Sequence, residues 1–598
     1  MITVQNGNDS GVGSLRQAIL DLTPGGGIID FNPIVVLITL TTGELVINAD
    51  ISIVGPGPGS LTVQNTAVSS RVFNLAINRT ISISGITVTG GNGAVDGGGI
   101  ISSANATLTN MVVNGNSATS QGGGIFNQNP DGNMTLTDMV ISGNSAVLSG
   151  GGFFNESIAD ISNSVIINNT ITGGNLGGAG VHNGINGNLT INRCIINSNS
   201  SVIRGGGVHN RSILSINNTT INGNSAQFSG GGFYNHFSAP DTTATITNTT
   251  ISNNDVFNVS GSGSGGGVDN DAGAAVLNMV NSTISNNSAF TNGGGMRINS
   301  GVATLINITI SYNSVGAGTG LGGGGIIRLG TSTVNIGNTI VGNNTTGSGA
   351  NPDVSGTFAS QGNNLIGFVG TATGFSAGSN DILNTPPNIG ILANNGGPTL
   401  TIMPNPGSPA IDNGNNALIA GFNTDQRGYI RIITGIVEIG AVEFGSVPIC
   451  FSGKSIVLTR NILTNEVEEL MVKYITSDKH EVFSIRENQF VPIKLNIVTG
   501  PTTRYMKIKK NALGVNQPNV NFYVTSGHKI VINGVEIKAK NIPQAKRIRV
   551  KPEYVYSICI EKRGPIVVNG LQVIAWGYDD WLKYADKTKI SWHDNQFN

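Results

Sequence analysis

A glycine turn, Gly-Gly-Gly or Gly-Gly-Ala-Gly followed by an apolar residue, recurs with its first glycine at 97, 122, 150, 177, 205, 230, 265 and 293. The successive steps are 25, 28, 27, 28, 25, 35 and 28 residues. Between the turns runs a second signature: Asn-Met-Val-Val-Asn-Gly-Asn-Ser-Ala at 110–118, Asp-Met-Val-Ile-Ser-Gly-Asn-Ser-Ala at 138–146, Asn-Thr-Thr-Ile-Asn-Gly-Asn-Ser-Ala at 218–226 and Asn-Ser-Thr-Ile-Ser-Asn-Asn-Ser-Ala at 281–289. Looser copies start at Asn163, Asn248, Asn307 and Asn338. A repeat of this length is one supersecondary unit that buries its apolar face only against its neighbours. Helical repeats of similar length need the Ala, Leu, Glu and Lys that are scarce here, and do not tolerate this density of glycine.

Short Ile/Val/Thr runs with Gly and Asn corners predict one coil of a parallel β-solenoid per repeat. Each strand then pairs with its equivalent one coil away, stacking equivalent side chains at ~4.8 Å. Aliphatic residues form ladders inside, asparagines at a fixed corner form an amide ladder that satisfies backbone groups, and glycine allows a corner with φ > 0. Roughly a dozen coils give a rod of ~55–60 Å at that spacing. The expected division is a cap over 1–30, coils over 31–380, and a closing segment with linker over 381–449.

Several segments carry a resemblance: Asn-Asp-Ser-Gly-Val-Gly-Ser-Leu-Arg-Gln-Ala-Ile (8–19), Ile-Val-Gly-Pro-Gly (53–57) and Gly-Ile-Thr-Val-Thr-Gly-Gly-Asn (85–92) near the start. Asn-Asn-Gly-Gly-Pro-Thr (394–399), Pro-Gly-Ser-Pro-Ala-Ile-Asp (406–412), Thr-Asp-Gln-Arg-Gly (424–428) and Glu-Ile-Gly-Ala-Val-Glu (438–443) stand near the end of the repeat region. Together they resemble right-handed β-helix surface proteins of bacteria. The resemblance implies end caps that protect the open strand edges of the solenoid.

Charge separates this region from the rest. Charged residues are 11% of the chain, against roughly 25% in an ordinary globular protein. Residues 1–449 hold no lysine, 10 Arg and 20 Asp+Glu, a balance of −10; residues 450–598 hold 22 Lys+Arg and 13 Asp+Glu, a balance of +9. Two modules explain the partition. In the basic module lysines alternate along strand-like runs (Lys507 and Lys509, Lys538 and Lys540), the pattern of a solvated sheet face, so no nucleic-acid partner is expected. Cys194, Cys450 and Cys559 form no disulfide framework and no metal-ligand spacing. The opening Met-Ile-Thr-Val-Gln-Asn-Gly lacks a basic start and an apolar core, so it predicts no secretory signal. No segment has the ~20 apolar residues of a membrane span.

A carbohydrate-cleaving site on the rod would need clustered carboxylates with a Lys or Arg. The densest acidic group is Asp269-Asn270-Asp271 beside a glycine turn, and it reads as a solvated corner. The arginines are scattered along the sequence.

The second module begins abruptly at Cys450-Phe-Ser-Gly-Lys-Ser-Ile-Val-Leu-Thr. Phe522-Tyr-Val-Thr-Ser-Gly-His-Lys-Ile-Val-Ile-Asn-Gly534 and Val555-Tyr-Ser-Ile-Cys-Ile-Glu-Lys-Arg-Gly-Pro-Ile-Val-Val-Asn-Gly570 follow. These read as short strands with Gly/Asn turns, an all-β domain over 450–580 with a tail over 581–598. In order and spacing the blocks resemble the hedgehog/intein (Hint) family, most closely its hedgehog-type branch without an endonuclease. The resemblance implies that Cys450 is a nucleophile on the carbonyl of Ile449, that His528 protonates the departing amide nitrogen, and that Thr525 bonds the carbonyl or orients the nitrogen. Cys559, alternating with apolar neighbours, reads as core. Ser557 stands where many relatives carry an acidic or thiol residue, and Gly564 where inteins often carry His. No terminal His-Asn follows the hairpin at 568–576, so splicing is not expected and cleavage at one junction is the activity left.

Three functions are compatible with the sequence. The favoured one is a surface or structural rod whose Hint-like domain cleaves the Ile449–Cys450 bond autocatalytically. The others are an adhesive rod with an inert Hint-like attachment domain, and a polysaccharide-degrading β-helix enzyme. Neither a cofactor nor a metal is expected. The candidate partners are polysaccharide and cell-surface or virion components, at an extracellular or particle-surface location.

Overall fold

The computed structural model describes residues 1–444 apart from 94, 129–131, 237–241, 258–262, 272, 317–321, 420, 423, 430 and 433–434, and beyond them chiefly the backbone of strands between 451 and 577. Contacts divide the chain into two units. The first is Met1–Leu392 with Pro404–Ile419 and Ile439–Ala441; the second is Ala393–Met403, Ala420–Glu438 and Val442–Asn598.

The first unit is a parallel β-solenoid of about twelve turns. One coil illustrates the repeat. A first triplet strand, Ile125–Asn127, leads to a pentad, Asn133–Thr137. A second triplet, Val140–Ser142, and a doublet, Ser145–Ala146, complete the coil. Asp138 between pentad and second triplet takes φ 57°, and Gly143 before the doublet takes φ 62°. The left-handed corner after the pentad recurs at Asn110, Asn163, Asn218, Asn248, Asn281, Asn307 and Asn338, because asparagine tolerates this region better than other side chains. Among the described residues the first triplets build a 12-stranded parallel sheet and the doublets a nine-stranded one, while pentads and second triplets belong to a 26-stranded sheet. Register is in step with the sequence repeat: Ile125 faces Phe153, Val140 faces Val165 and Ile221 faces Ile251.

Alternation places every second strand residue inside. The second-triplet centres Val113, Ile141, Ile166, Ile196, Ile221, Ile251, Ile284, Ile310 and Val341 form one continuous, fully buried aliphatic ladder. Cys194 joins this core, and burial pushes its thiol up to about 12, so it is an inert apolar side chain.

Asparagine amides hold the corner where the second triplet turns into the doublet. Asn116, Asn144, Asn169, Asn199, Asn224, Asn254, Asn287, Asn313 and Asn344 stack one per coil. From Asn144 onward each Oδ1 accepts from both the backbone N and the side-chain Nδ2 of its predecessor: Asn199 donates to Asn224 Oδ1 at 3.0 Å and 2.9 Å. The second Nδ2 hydrogen goes to a backbone carbonyl, that of Ile166 for Asn199, at 3.0 Å. A carboxylate ends the ladder, Asp353 Oδ1 accepting from Asn344 N at 3.0 Å and Nδ2 at 2.9 Å. The glycine turn runs against this ladder. A Cβ on Gly124 would lie 2.6 Å from the Gly152 carbonyl and 3.0 Å from Asn144 Nδ2, which explains why no side chain is tolerated there. A second buried ladder, Asn127, Asn155, Asn183, Asn210, Asn235 and Asn270, links the first triplets with Nδ2-to-Oδ1 distances of 2.7–2.9 Å.

Strand pairing starts earlier than the repeat: Ile2–Val4 pairs in parallel with Ile29–Phe31. Between these strands the helix Leu15–Asp21, capped by Ser14 Oγ accepting from Gln17 N at 3.2 Å, buries Leu15, Ala18 and Ile19 in the common core. Near the other end, parts of the closing segment return along the second-triplet face. Asn338 accepts from Asn415 N (2.7 Å) and donates to Asn415 O (3.0 Å), and Ala441 N donates to Thr309 Oγ1 (3.1 Å).

In the second unit, eleven described strands from Phe451–Ser452 to Leu571–Gly577 form one sheet. It is antiparallel except where Cys559 pairs with Trp576. Val568 faces Leu571 across Asn569-Gly570, the two-residue hairpin spacing that Asn-Gly favours.

Two substitutions probe the solenoid. Ile284→Asn puts an unpaired amide into the aliphatic ladder and is expected to destabilise the rod by about 3–5 kcal/mol, from lost transfer energy plus desolvation. Asn224→Ala removes the acceptor of both Asn199 donors and is expected to cost about 2–4 kcal/mol. Thermal or urea melts of the full chain measure both, and a midpoint within error of wild type would contradict the ladder account.

Candidate functional site

Ile449, Cys450, Thr525 and His528, on which the Hint resemblance places cleavage chemistry, lie outside the described residues. Their sequence neighbours do not. The backbone of Phe451 pairs antiparallel with Val524 and with Tyr556, and Ser452 pairs with Val555. The strand that follows Cys450 is therefore hydrogen-bonded between the Phe522–Val524 and Ala545–Ile560 strands.

On the rod, a titratable cluster lies along the central position of the first triplets, the position pointing away from the main core. From coil to coil this column reads Ile101, Phe126, Phe154, His182, His209, Tyr234, Asp269, Arg297 and Ile327. Each member stands four residues after a left-handed turn glycine, at 97, 122, 150, 178, 205, 230, 265, 293 and 323. The turn folds back over the side chain: a Cβ on Gly205 would lie 2.8 Å from His209 Cβ, and one on Gly265 2.6 Å from Asp269 Cβ. The outward column is consequently buried, except that Arg297 stays partly exposed.

This corrects the reading of Asp269-Asn270-Asp271 as a solvated corner. Asp269 is 0% exposed. Arg297, one coil on, donates from Nε and Nη2 to the Asp269 carboxylate at 2.9–3.1 Å and from Nη2 to Asp271 at 2.8 Å. Asn299 donates to Asp271 at 2.8 Å. Arginines far apart in sequence thus meet carboxylates in space, because coil stacking converts a step of 28 residues into adjacency. Burial pushes the Asp269 carboxyl up to about 6 against the opposing pull of Arg297. Burial works the same way on Asp271, but Arg297 and Asn299 prevail and hold it below the usual carboxylate range. At neutral pH both are anions clamped by one guanidinium. They join adjacent coils, and Asp269 is closed to a substrate.

The histidines continue the seam. His182 stacks on Phe154 (ring centroids 4.7 Å, 3° between planes) and meets His209 edge-on at 4.6 Å, and His209 meets Tyr234 at 4.9 Å. Burial lowers the His182 pKa to about 3, with Arg211 adding to the shift and a 3.1 Å contact from Nδ1 to the Gly177 carbonyl opposing it. Burial likewise holds His209 well below its ordinary value. Both rings are neutral aromatic spacers at neutral pH. Among the described residues no three His, Cys, Asp or Glu side chains are arranged to hold a metal.

Sequence reading missed this column because its members share no residue type. The available signal was the offset of four from each turn glycine.

A second charged cluster lies in the closing motifs, within the second unit. Asp425 accepts from Arg427 N (2.9 Å) and Tyr429 N (3.1 Å) through one oxygen. Through the other it accepts from Arg427 Nε (3.0 Å) and Nη2 (2.7 Å) and from Glu443 N (3.0 Å). Thr-Asp-Gln-Arg-Gly and Glu-Ile-Gly-Ala-Val-Glu are thereby parts of one clamp. Beside it Arg431 is fully buried among Asp425, Glu438 and Glu443, and burial together with Glu443 pushes the Glu438 carboxyl strongly up.

No protein-family model matches the sequence, and no curated protein matches it. Among solved structures, pectate lyase Pel9A is similar at 12% identity over 74% of this chain and 96% of that one, with a TM-score of 0.32. The Ssp DnaB mini-intein variant M86 is similar at 14% identity over 21% of this chain and 93% of that one, with a TM-score of 0.17. Both likenesses are distant, and the solenoid stands on its own strand register.

The histidine seam makes a pH prediction. A histidine with its folded pKa depressed from 6.5 to about 3 makes no contribution above pH 6.5. Below it the unfolded chain takes a proton that the folded chain refuses, so stability falls as pH falls. His182→Phe, which preserves the ring stack, removes this loss. Between pH 7 and pH 5 the wild type is expected to lose about 2 kcal/mol relative to the variant, at ~1.4 kcal/mol per pH unit below 6.5. Urea midpoints of the two proteins at both pH values check the difference; parallel pH profiles would contradict it.

Proposed function

We propose that the chain is a surface or structural rod whose C-terminal Hint-like domain cuts the Ile449–Cys450 peptide bond. The pairing of Phe451 with Val524 and Tyr556 carries this reading, since it ties the backbone next to Cys450 to the strand that leads into Thr525 and His528. The Cys450 sulfur attacks the Ile449 carbonyl carbon; a C–S bond forms and the C–N bond breaks. Amide nitrogen is a poor leaving group, so His528 supplies the proton it needs and recovers one from the thiol, while Thr525 steadies the carbonyl or the nitrogen. Water or another nucleophile then opens the thioester, giving the Ile449 carboxyl group or its adduct and regenerating the thiol. The β-branch of Ile449 crowds the attacked carbon, so the step is expected to be slow. The rod ahead of the junction has its own ladders and closing segment, which suits a product that outlasts its processing domain.

Mass spectrometry of the purified chain is the test. The 61.6 kDa species is expected to split at 449/450, faster with hydroxylamine or a thiol, because both intercept a thioester. Cys450→Ala is expected to abolish the split and His528→Ala to slow it by about 10²–10⁴. A chain that stays intact for days in hydroxylamine at neutral pH would leave the domain as an inert attachment module.

A further inference from the structure

We propose that the doublet face of the rod holds a binding cleft for a neutral oligosaccharide built from pyranose units, centred on Phe257 and Phe290. This goes beyond the cleavage reading and gives the rod a ligand class. An open cleft of about 440 Å³ crosses three consecutive coils here. The residue after each doublet forms a surface column, and in the earlier coils it is Thr119, Val147, Thr172, Val202 and Gln227. At the next two coils it becomes Phe257 and then Phe290. Phe257 is 44% exposed and Phe290 half-buried. Phe257 keeps much of its ring in water and Phe290 a smaller part, and burying what remains would be favourable, so the two adjacent coils mark a surface that gains from being covered.

What covers it is set by the flank. Asp255, Ser288 and Ser314 are consecutive members of one strand ladder running beside the rings, with Ser288 Oγ donating to the Asp255 carboxylate. One side of the cleft thus carries the two aromatic side chains and the other a row of hydroxyl and carboxylate groups, one per coil. A pyranose has the same two-sidedness: a C–H face that lies on a ring, and an edge of hydroxyls that donate and accept. The coil spacing of ~4.8 Å is close to the length of one sugar unit, so successive residues of a chain advance by one coil each. Among the described residues no Lys or Arg lines the cleft, which disfavours an anionic ligand. After Phe290 the column continues as Gly316, where the nearest described atom to an added Cβ is the Phe290 carbonyl oxygen at 3.5 Å, so the third coil adds no side chain to this column.

The test titrates soluble cello-, manno- and xylo-hexasaccharides into the full-length chain by calorimetry. At least one is expected to bind, with affinity reduced at least about tenfold in Phe257→Ala and in Phe290→Ala. Melting midpoints check that both variants remain folded. Asp255→Asn keeps a hydrogen-bonding amide and is expected to retain binding within about threefold, whereas a cationic ligand held by the carboxylate would lose it. Oligolysine serves as the cationic probe. Failure of all three sugars to bind, unchanged affinity in both phenylalanine variants, or binding of oligolysine alone would overturn the proposal. Scoring the 449/450 split by mass in the same samples keeps this outcome separate from that of the cleavage reading.

Discussion

Everything in the rod depends on the asparagine amide. A coil corner leaves backbone N–H and C=O groups inside the protein, and buried groups of this kind must be paired. A primary amide has an acceptor oxygen with two lone pairs and a nitrogen with two hydrogens, which is what a stack of corners requires. Asn199 shows the full arrangement: its N and Nδ2 both reach Asn224 Oδ1, and its remaining hydrogen reaches the Ile166 carbonyl. Aspartate in mid-ladder would lack the donors, and leucine would strand the neighbours. A carboxylate serves at the end of the ladder, where Asp353 only has to accept, from Asn344 N and Nδ2.

Because the ladder fixes register coil by coil, it also fixes what lies on the outside. Any position after a corner becomes a straight column of side chains one coil apart. The first-triplet column carries the His182–His209–Tyr234–Asp269–Arg297 seam, closed over by the turn glycines. The doublet column carries Phe257 and Phe290 and stays open. Two surfaces of the same rod thus differ in accessibility through the backbone of the turn alone. Burying Asp269 is tolerated because the mostly covered Arg297 guanidinium completes its hydrogen bonds, and removing Arg297 would leave an uncompensated buried charge.

The C-terminal sheet follows other rules. Its strands are antiparallel, two of them long, Gln489–Ile508 and Ala545–Ile560, and they come from the part of the chain that holds all of the lysine. A solenoid strand has its neighbours' columns on one side and the core on the other, and uses Thr, Ser and Asn rather than lysine. The composition boundary near Cys450 therefore marks a change in how strands find partners.

The sequence by itself determined the architecture of the rod. Repeat length, Gly and Asn corners and strand-forming runs specify a stack of coils, because each repeat has one partner and one register. The approximate coil number followed from the same pattern. Sequence also marked the Asn569-Gly570 hairpin, since a turn of that kind is a local property of two residues. Tertiary structure alone decided what the coils bring together. Asp269 and Arg297 lie 28 residues apart and look unrelated until stacking makes them neighbours; the burial of Asp269 depends on a turn four residues upstream folding over it. The Thr-Asp-Gln-Arg-Gly and Glu-Ile-Gly-Ala-Val-Glu motifs could be seen as separate strings, but their union through Asp425 is a fact of packing. Periodic backbone pairing is written in every repeat and can be read from any one of them, whereas a side-chain cluster exists only in the sum of several coils and the turn that closes over it.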